Sequence, residues 1–290
     1  MKYGVELHLG GGLFSHYAVI LANLDIWLSN GKIKIDDELY FDSRYETGNN
    51  LKTLPPIRSG MSGSDYNIYD YLFEQNKDGI DKTIITEYPH GDIQIGDIPT
   101  LDRYKHISGN MISINKSILE KVDLFIRNNF KERMLGVHVR MTDLNTFAVE
   151  HGSKFMSDID YFNKIEEVLL KENIDKIFVA SYNLEMIGKL SSRFDICHYD
   201  SEHILNSESV TKNEWVDEWL VGDGVKNWVP EYYIESMIDS ILLSYCNKLI
   251  SRRSALNYAS HTYKWSKINK NCYEDKIISY HEYPMTCIRM

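Results

Sequence analysis

No apolar run in this sequence is long enough to cross a membrane, which takes roughly 20 uninterrupted apolar residues. Hydrophobic residues make up 43% of the 290 positions, but they are dispersed among polar ones. The chain also opens without the apolar core of a signal peptide, because Glu6 and His8 interrupt its first strand-like segment. We therefore expect a cytoplasmic protein without a transmembrane segment.

Cysteine is scarce as well, with four residues in the whole chain. No two of them form a CxxC pair and no histidine cluster accompanies them, so the pattern predicts neither a zinc site nor a disulfide framework. We expect reduced, buried thiols at these positions, which are Cys197, Cys246, Cys272 and Cys287.

Positive charge is the third deficit. The chain has 32 Lys and Arg against 42 Asp and Glu, which gives a formal net charge of -10. Such an acidic surface repels phosphate backbones, so the composition argues against a nucleic-acid partner. A nucleotide ligand is still compatible, since a single arginine in a pocket can dominate the local potential.

What the sequence does contain is an alternation of strand-like and helix-like segments. In the first part we predict strands at 3–9 and 33–41 and helices at 13–29, 66–73 and 115–129. In the second part we predict strands at 134–139, 176–180 and 248–250 and helices at 160–170, 184–190, 231–245 and from Ser254. Strands that alternate with helices indicate βαβ units and parallel sheets.

This order predicts an α/β fold of two Rossmann-like domains that face a cleft. We place the N-terminal domain at residues 1–128 and the C-terminal domain at residues 129–290. Ligands of such folds bind beyond the carboxyl ends of the strands, so the polar residues that follow each strand are the candidates for a site.

The most informative polar segment follows the predicted strand at 134–139. Alternate side chains of a strand share a face, which puts His138 and Arg140 on the same side. An arginine at a strand end suits a diphosphate, because its guanidinium donates two parallel hydrogen bonds to phosphate oxygens. The alternative is a surface ion pair between Arg140 and Asp143.

Two further candidates lie later in the chain. Asp239 stands among apolar residues of a predicted helix, and a buried carboxylate there needs donors, which a guanine edge or an arginine would supply. Ser254 opens the last predicted helix, where it is either a helix cap or part of an anion site.

The run Gly10-Gly11-Gly12 joins the first strand to the first helix, and His16 follows one turn later. The run lacks the GxGxxG spacing, so a tight βα turn explains it, although it also lets a ligand approach the backbone closely.

Asp158 and Asp160 have the spacing of a metal-binding DxD motif, but they follow Ser157 at the start of a predicted helix. We interpret this segment as helix capping, because acidic side chains are favoured in the first turn.

Three segments, in this order, resemble motifs of the α1,6-fucosyltransferase superfamily, which includes core N-glycan and nodulation fucosyltransferases and is related to protein O-fucosyltransferases. Residues 135–143, LGVHVRMTD, resemble its first motif, VHxRxTD. Residues 176–183, KIFVASYN, resemble its IFLATDD strand, and residues 237–254 resemble its DxxxLSxxDxLIxxxSS segment.

The resemblance implies a GT-B-like fold, with the acceptor on the N-terminal domain and GDP on the C-terminal one. It implies an inverting glycosyltransferase that moves L-fucose from GDP-fucose to a glycan hydroxyl, with no metal and no cofactor beyond the donor substrate. The roles it implies are guanine binding by His138 and Asp239, β-phosphate binding by Arg140, assistance to the diphosphate by Ser254, and shaping of the same pocket by Thr142 and Asp143. Gly11, Gly12 and His16 are the expected substrate-binding residues of the N-terminal domain.

The sequence departs from the family pattern where the core-type enzymes carry a catalytic glutamate, because that position is Ala148 here. Glu150 lies two residues later and is the candidate catalytic base. Asp143 and His16 are the alternative candidates for this role. Two alternatives stay open: a transferase that uses another GDP-sugar, and a catalytically inactive nucleotide-sugar-binding protein. An unrelated epimerase is disfavoured by the lack of a GxGxxG motif.

Overall fold

The structure is a computed structural model, and it describes residues 1–7, 13–42, 67–86, 98–139, 157–181, 183–200, 230–251 and 255–266. Within these ranges the chain forms two parallel sheets with helices packed around them. None of the described helices combines the length and the apolar character that a membrane crossing requires.

The N-terminal sheet has three parallel strands in the order β2-β1-β3. They are β1 (Lys2–Glu6), β2 (Glu38–Asp42) and β3 (Lys82–Ile85). Helix α1 (Leu13–Ser29) connects β1 to β2, and every residue from Tyr17 to Leu24 is buried, as expected for a helix that is apolar all round. Helices α2 (Tyr69–Leu72), α3 (Ile98–Met111) and α4 (Lys116–Asn129) complete this part of the chain.

The C-terminal sheet has four parallel strands in the order β6-β5-β4-β7. They are β4 (Met134–His138), β5 (Lys176–Ala180), β6 (Ile196–Cys197) and β7 (Lys248–Ser251). The connecting helices are α5 (Asp158–Lys171), α6 (Leu184–Ser191) and α7 (Pro230–Ser244), and α8 (Ala255–Thr262) follows β7.

The strands of this sheet bury both faces, each in a different hydrophobic cluster. On one face, Leu135 and Val137 of β4 pack with α5 and α6. On the other, Met134 of β4 and Phe178 of β5 pack with α7 in the larger core of the molecule. Gly136 permits the close approach of α7, since a Cβ atom there would meet Leu243 at 3.0 Å.

The larger core joins the two parts of the chain. Helix α7 contacts α2 and α4, and α8 contacts α1 and α3. Buried hydroxyls add specific contacts: Tyr17 and Ser108 share a 2.8 Å hydrogen bond, and Ser240 lies 3.3 Å from the hydroxyl of Tyr263. Helices α7 and α8 therefore bridge the C-terminal sheet and the N-terminal helices, while the domain boundary at 128/129 stays a prediction.

Most predicted elements are confirmed, α1 and β5 at both ends. Three elements were missed, namely β3, α3 and β6. Two predicted strands were too long by more than one residue: the first ends at Glu6, and the second begins at Glu38 rather than at residue 33. Ile33 is buried, and its backbone N–H donates to Trp27 at the end of α1, so it belongs to the helix-ending turn. Of the four cysteines, Cys197 and Cys246 are described, and both are buried free thiols.

Candidate functional site

The strand order of the C-terminal sheet fixes where a ligand site is expected. The connections from β4 to β5 and from β5 to β6 proceed in one direction, and the next connection returns to place β7 on the other side of β4. Connections therefore proceed to opposite sides of the sheet from β4, which leaves a crevice between β4 and β7. Open α/β sheets bind ligands at such a point, beyond the carboxyl ends of the strands. His138 ends β4, Ser251 ends β7, and the two are paired in the sheet register.

His138 is the predicted site residue that β4 brings to this edge. Its side chain shares the face of Gly136, which is the face that α7 covers, and only 8% of the residue is exposed. On the opposite face, the Tyr161 hydroxyl donates to the backbone carbonyl of His138 at 3.5 Å. The end of β4 is therefore held from both sides, with the imidazole directed toward α7.

Asp239 lies on α7, the helix that covers the face of the sheet to which the His138 side chain belongs. This helix leads into β7 and runs antiparallel to the strands, so its N-terminal direction points toward their carboxyl ends. Leu243 packs on Gly136, and Asp239 lies one turn before Leu243 on the same helix face, about 6 Å along the axis. His138 lies about 6.6 Å beyond Gly136 along β4. The two predicted base-binding residues therefore both lie toward the carboxyl edge of the sheet, His138 on the strand and Asp239 on the helix that covers this face.

The electrostatic setting of Asp239 is unusual. The side chain is buried, and burial raises the pKa of its carboxyl group well above the usual range, with the neighbouring Glu235 adding to the rise. No residue within the described part of the chain donates a hydrogen bond to it. A buried carboxylate without donors is costly, because its lone pairs lose water and gain nothing in return. A ligand that brings N–H donors would remove this cost.

The structure adds two neighbours that the sequence analysis missed. Glu235 lies one further turn toward the carboxyl edge on α7 and is half-buried. Tyr199 follows β6, and the negative charges of Glu235 and Asp239 both raise its pKa, after the larger effect of its own burial. Glu235 could have been found from the i, i+4 spacing with Asp239, whereas nothing local in the sequence marks Tyr199.

His16, the described candidate of the N-terminal part, lies in the first turn of α1 and is buried. It belongs to the helix between β1 and β2, and the glycine run that precedes this helix lies outside the described residues. His16 thus belongs to the N-terminal part of the chain, whereas His138 lies in the C-terminal sheet and Asp239 on the helix that covers it.

The interpretation of this segment as helix capping is confirmed, with Ser157 as the N-cap and Asp158 and Asp160 in the first turn. The Asp160 carboxylate accepts from the backbone N–H of Ser157 at 2.7 Å, and Ser157 accepts from that of Asp160, which forms a capping box. Asp158 pairs with Lys189 at 2.6 Å. Across the described ranges, no group of three or more His, Cys, Asp or Glu side chains is arranged to hold a metal ion.

The remaining predicted site residues lie outside the described residues. They are Gly11, Gly12, Arg140, Thr142, Asp143, Glu150 and Ser254. Their predicted roles remain predictions.

Comparison of the sequence with protein-family models and with curated proteins gives no match. Among solved structures, the chain is similar to the α-1,6-fucosyltransferase NodZ soaked with GDP-fucose, at 14% identity, a TM-score of 0.49 and coverage of 90% of this chain and 92% of the other. NodZ has been solved from Bradyrhizobium. POFUT1 in complex with GDP is similar at 11% identity and a TM-score of 0.47, with coverage of 91% and 94%.

A third similar structure is Arabidopsis thaliana FUT1 in complex with GDP, at 12% identity and a TM-score of 0.44. It covers 91% of this chain and 69% of the other.

Proposed function

We propose that this chain is an inverting, metal-independent glycosyltransferase that transfers L-fucose from GDP-fucose to a glycan hydroxyl. The observation that carries the proposal is the position of Asp239. It is a buried carboxyl group without a described hydrogen-bond donor, on the helix that covers the sheet face of His138, where the strand order changes direction between β4 and β7.

Guanine fits this carboxylate better than the other common bases do. Its Watson–Crick edge offers two adjacent N–H donors, from the ring nitrogen and the exocyclic amine, and an ionised Asp239 accepts both. Uracil presents one donor flanked by acceptors, and adenine presents an acceptor beside its amine, so neither can satisfy both oxygens. The imidazole of His138, at the end of the strand that α7 covers, supplies a further polar contact.

The remaining roles are assigned to residues that the motif resemblance identifies. Arg140, two residues beyond His138, binds the β-phosphate and stabilises the charge that grows on it as the bond to the sugar breaks. Ser254, three residues beyond Ser251, contributes to diphosphate binding at the start of α8. Thr142 shapes the pocket between them.

The reaction forms one bond and breaks one bond. The acceptor hydroxyl oxygen attacks C1 of fucose, the bond between C1 and the diphosphate oxygen breaks, and GDP leaves with the electron pair. The hydroxyl proton passes to the base, for which Glu150 is the first candidate and Asp143 and His16 are the reserves. Attack from the face opposite the diphosphate inverts the configuration at C1.

The direct test is a calorimetric titration of the purified chain with GDP, ADP and UDP, together with an assay for slow hydrolysis of GDP-fucose. We expect GDP to bind in the micromolar range and the other two to bind far more weakly. Equal binding of UDP and GDP would contradict the guanine assignment. GDP-mannose, measured in parallel, separates fucose from another sugar on the same nucleotide.

A second function deserves the same assay, because Ala148 stands where core-type enzymes carry the catalytic glutamate. An inactive nucleotide-sugar-binding protein would bind GDP and GDP-fucose but would neither transfer nor hydrolyse the sugar. Turnover of GDP-fucose above the rate in buffer excludes this alternative.

A further inference from the structure

A buried group of hydroxyls joins α7 to α8, beginning at the residue after Asp239. The Ser240 hydroxyl donates to the backbone carbonyl of Leu256, in the first turn of α8, at 3.2 Å. It also lies 3.2 Å from the Ser260 hydroxyl and 3.3 Å from the Tyr263 hydroxyl. Ser260 donates to the same Leu256 carbonyl at 3.1 Å, so hydroxyls from two helices converge on one acceptor.

Tyr263 completes this group just after the end of α8. Its hydroxyl donates to the thioether sulfur of Met237, one turn before Ser240 on α7, at 3.0 Å. Its ring is held independently of the hydroxyl, because it lies against Tyr17 of α1 at a centroid distance of 5.9 Å and stacks on Trp265 at 5.6 Å. Both Ser240 and Tyr263 are at most 1% exposed, so water does not compete for these hydrogen bonds.

The hydroxyl cluster of Ser240, Ser260 and Tyr263 fixes how α7 sits along α8. Apolar contacts are non-directional, so they specify that two helices are buried together more strongly than they specify their register. Hydrogen bonds are directional, and a buried one that is broken is costly because no water replaces the partner. A satisfied cluster of this kind therefore holds the two helices at one relative position.

These two helices carry groups that the proposed function assigns to opposite ends of GDP. Asp239 on α7 accepts the guanine N–H donors, and the start of α8 contributes to diphosphate binding. A ligand that spans both groups must satisfy them together, and its hydrogen bonds to Asp239 need donor–acceptor distances of about 2.7–3.2 Å. A small displacement of α7 along α8 would therefore break the pairing with guanine while the diphosphate stays bound.

We propose that the hydroxyl cluster is the positioning element of the nucleotide site, which sets the distance between the guanine-binding carboxylate and the diphosphate-binding end of α8. This inference rests on the proposed function. Ser240 and Tyr263 are too deeply buried to contact a ligand, so they act through Asp239 and α8 and are positioning residues. Their loss should appear as weaker discrimination between bases.

The test compares GDP with inosine diphosphate, which lacks only the exocyclic amine of guanine. The ratio of the two affinities therefore reports the second hydrogen bond to Asp239, and in the natural chain we expect GDP to bind about tenfold more tightly or better. Ser240→Ala and Tyr263→Phe each remove one hydroxyl of the cluster, and phenylalanine keeps the ring in place. Calorimetric titration should show that each variant reduces the ratio by about threefold or more, through weaker GDP binding.

The matched control is Ser244→Ala. Ser244 is a fully buried serine one turn later on α7, and its hydroxyl donates to the Ile241 carbonyl of the same helix. It accepts from the indole N–H of Trp265, beyond the end of α8, at 3.0 Å. Ser244→Ala should lose about as much thermal stability as Ser240→Ala and keep the affinity ratio of the natural chain.

The outcomes separate this inference from the proposed function. An unchanged ratio in Ser240→Ala and Tyr263→Phe, or an equal reduction in Ser244→Ala, overturns the positioning role and leaves the guanine assignment in place. A natural chain that binds GDP and inosine diphosphate equally overturns both. If Ser240→Ala does not fold, Tyr263→Phe decides, because it removes a single oxygen atom and keeps the aromatic packing.

Discussion

His138, the last residue of β4, is the register partner of Ser251, the last residue of β7. These residues are 113 positions apart in the sequence, yet parallel pairing places them on neighbouring strands at one edge of the sheet. Each is followed by a segment that carries a predicted phosphate-binding residue, Arg140 after β4 and Ser254 after β7. Asp239 lies on α7, which covers the sheet face that His138 shares, so the fold gathers motif residues from separate segments.

The first prediction concerns the carboxylate of Asp239. Asp239→Asn replaces one acceptor oxygen with an amide nitrogen, which donates and cannot accept, so one guanine N–H is left facing a donor. We expect GDP affinity to fall by about 1–3 kcal/mol while the weak affinity for UDP changes little. Calorimetric titration measures both.

The control for this substitution is Asp195→Asn. Asp195 is exposed and lies near Lys176 at 3.8 Å, at the amino-terminal edge of the sheet. The Asp195→Asn variant should bind GDP with the same affinity as the natural chain. Equal losses in the two variants would mean that the effect is a general loss of negative charge and not a contact with guanine.

The second prediction concerns the pH dependence of GDP binding. Without ligand, burial and Glu235 keep the pKa of Asp239 well above the usual range, so the carboxyl group stays protonated to a higher pH than an exposed one. Guanine needs the ionised form, so binding below that raised pKa must release a proton. GDP affinity should therefore decrease as the pH falls through the raised pKa, and titrations in buffers of different ionisation enthalpy should detect the proton.

Asp239→Asn is the reference here, because it keeps every other titrating group of the protein and of the diphosphate. The extra pH dependence of the natural chain should be missing from it. Stability supplies an independent check. A raised folded pKa stabilises the protein below the unfolded value of about 3.9, and this stabilisation is lost as the pH rises through the folded pKa. The natural chain should therefore lose stability against Asp239→Asn over that range.

The third prediction separates capping from metal binding. Since Asp160 and Ser157 form a capping box and Asp158 pairs with Lys189, we expect EDTA to leave the turnover of GDP-fucose intact. Asp160→Ala should cost about 1 kcal/mol of unfolding free energy by loss of the cap, with unchanged kcat. Loss of turnover in EDTA that manganese or magnesium restores would instead make Asp158 and Asp160 candidate ligands.

Elements whose sequence pattern lies within a few neighbouring residues could be predicted, and elements without such a pattern could not. The cap at Ser157 and helix α1 follow from residues within one or two turns, and both are confirmed. Strand β3 was missed because Ile84 is its one buried residue, so no alternation marks it, and α3 because it contains Pro99 and Gly109.

The same contrast holds for the site. Asp239 was predicted because a lone carboxylate among apolar residues is visible in the sequence. Tyr199 was not, because its relevance arises from the pairing of β6 with β5 and from the packing of α4, which no short segment encodes. Strand β6 itself pairs at only Ile196 and Cys197, too short for a periodic pattern.

The last prediction concerns the segment that follows β4. Arg140→Ala should reduce the rate of fucose transfer by about 100-fold or more, because a preorganised donor at the leaving diphosphate is lost. Glu150→Gln should act differently if Glu150 is the base: GDP affinity stays the same, turnover falls, and the acidic limb of the pH–rate profile disappears. A weak effect of Glu150→Gln would move the base to Asp143 or His16 and leave the transferase assignment in place. Unchanged kinetics and unchanged GDP affinity in Arg140→Ala would instead mean that the motif resemblance is accidental, because the resemblance assigns β-phosphate binding to this arginine.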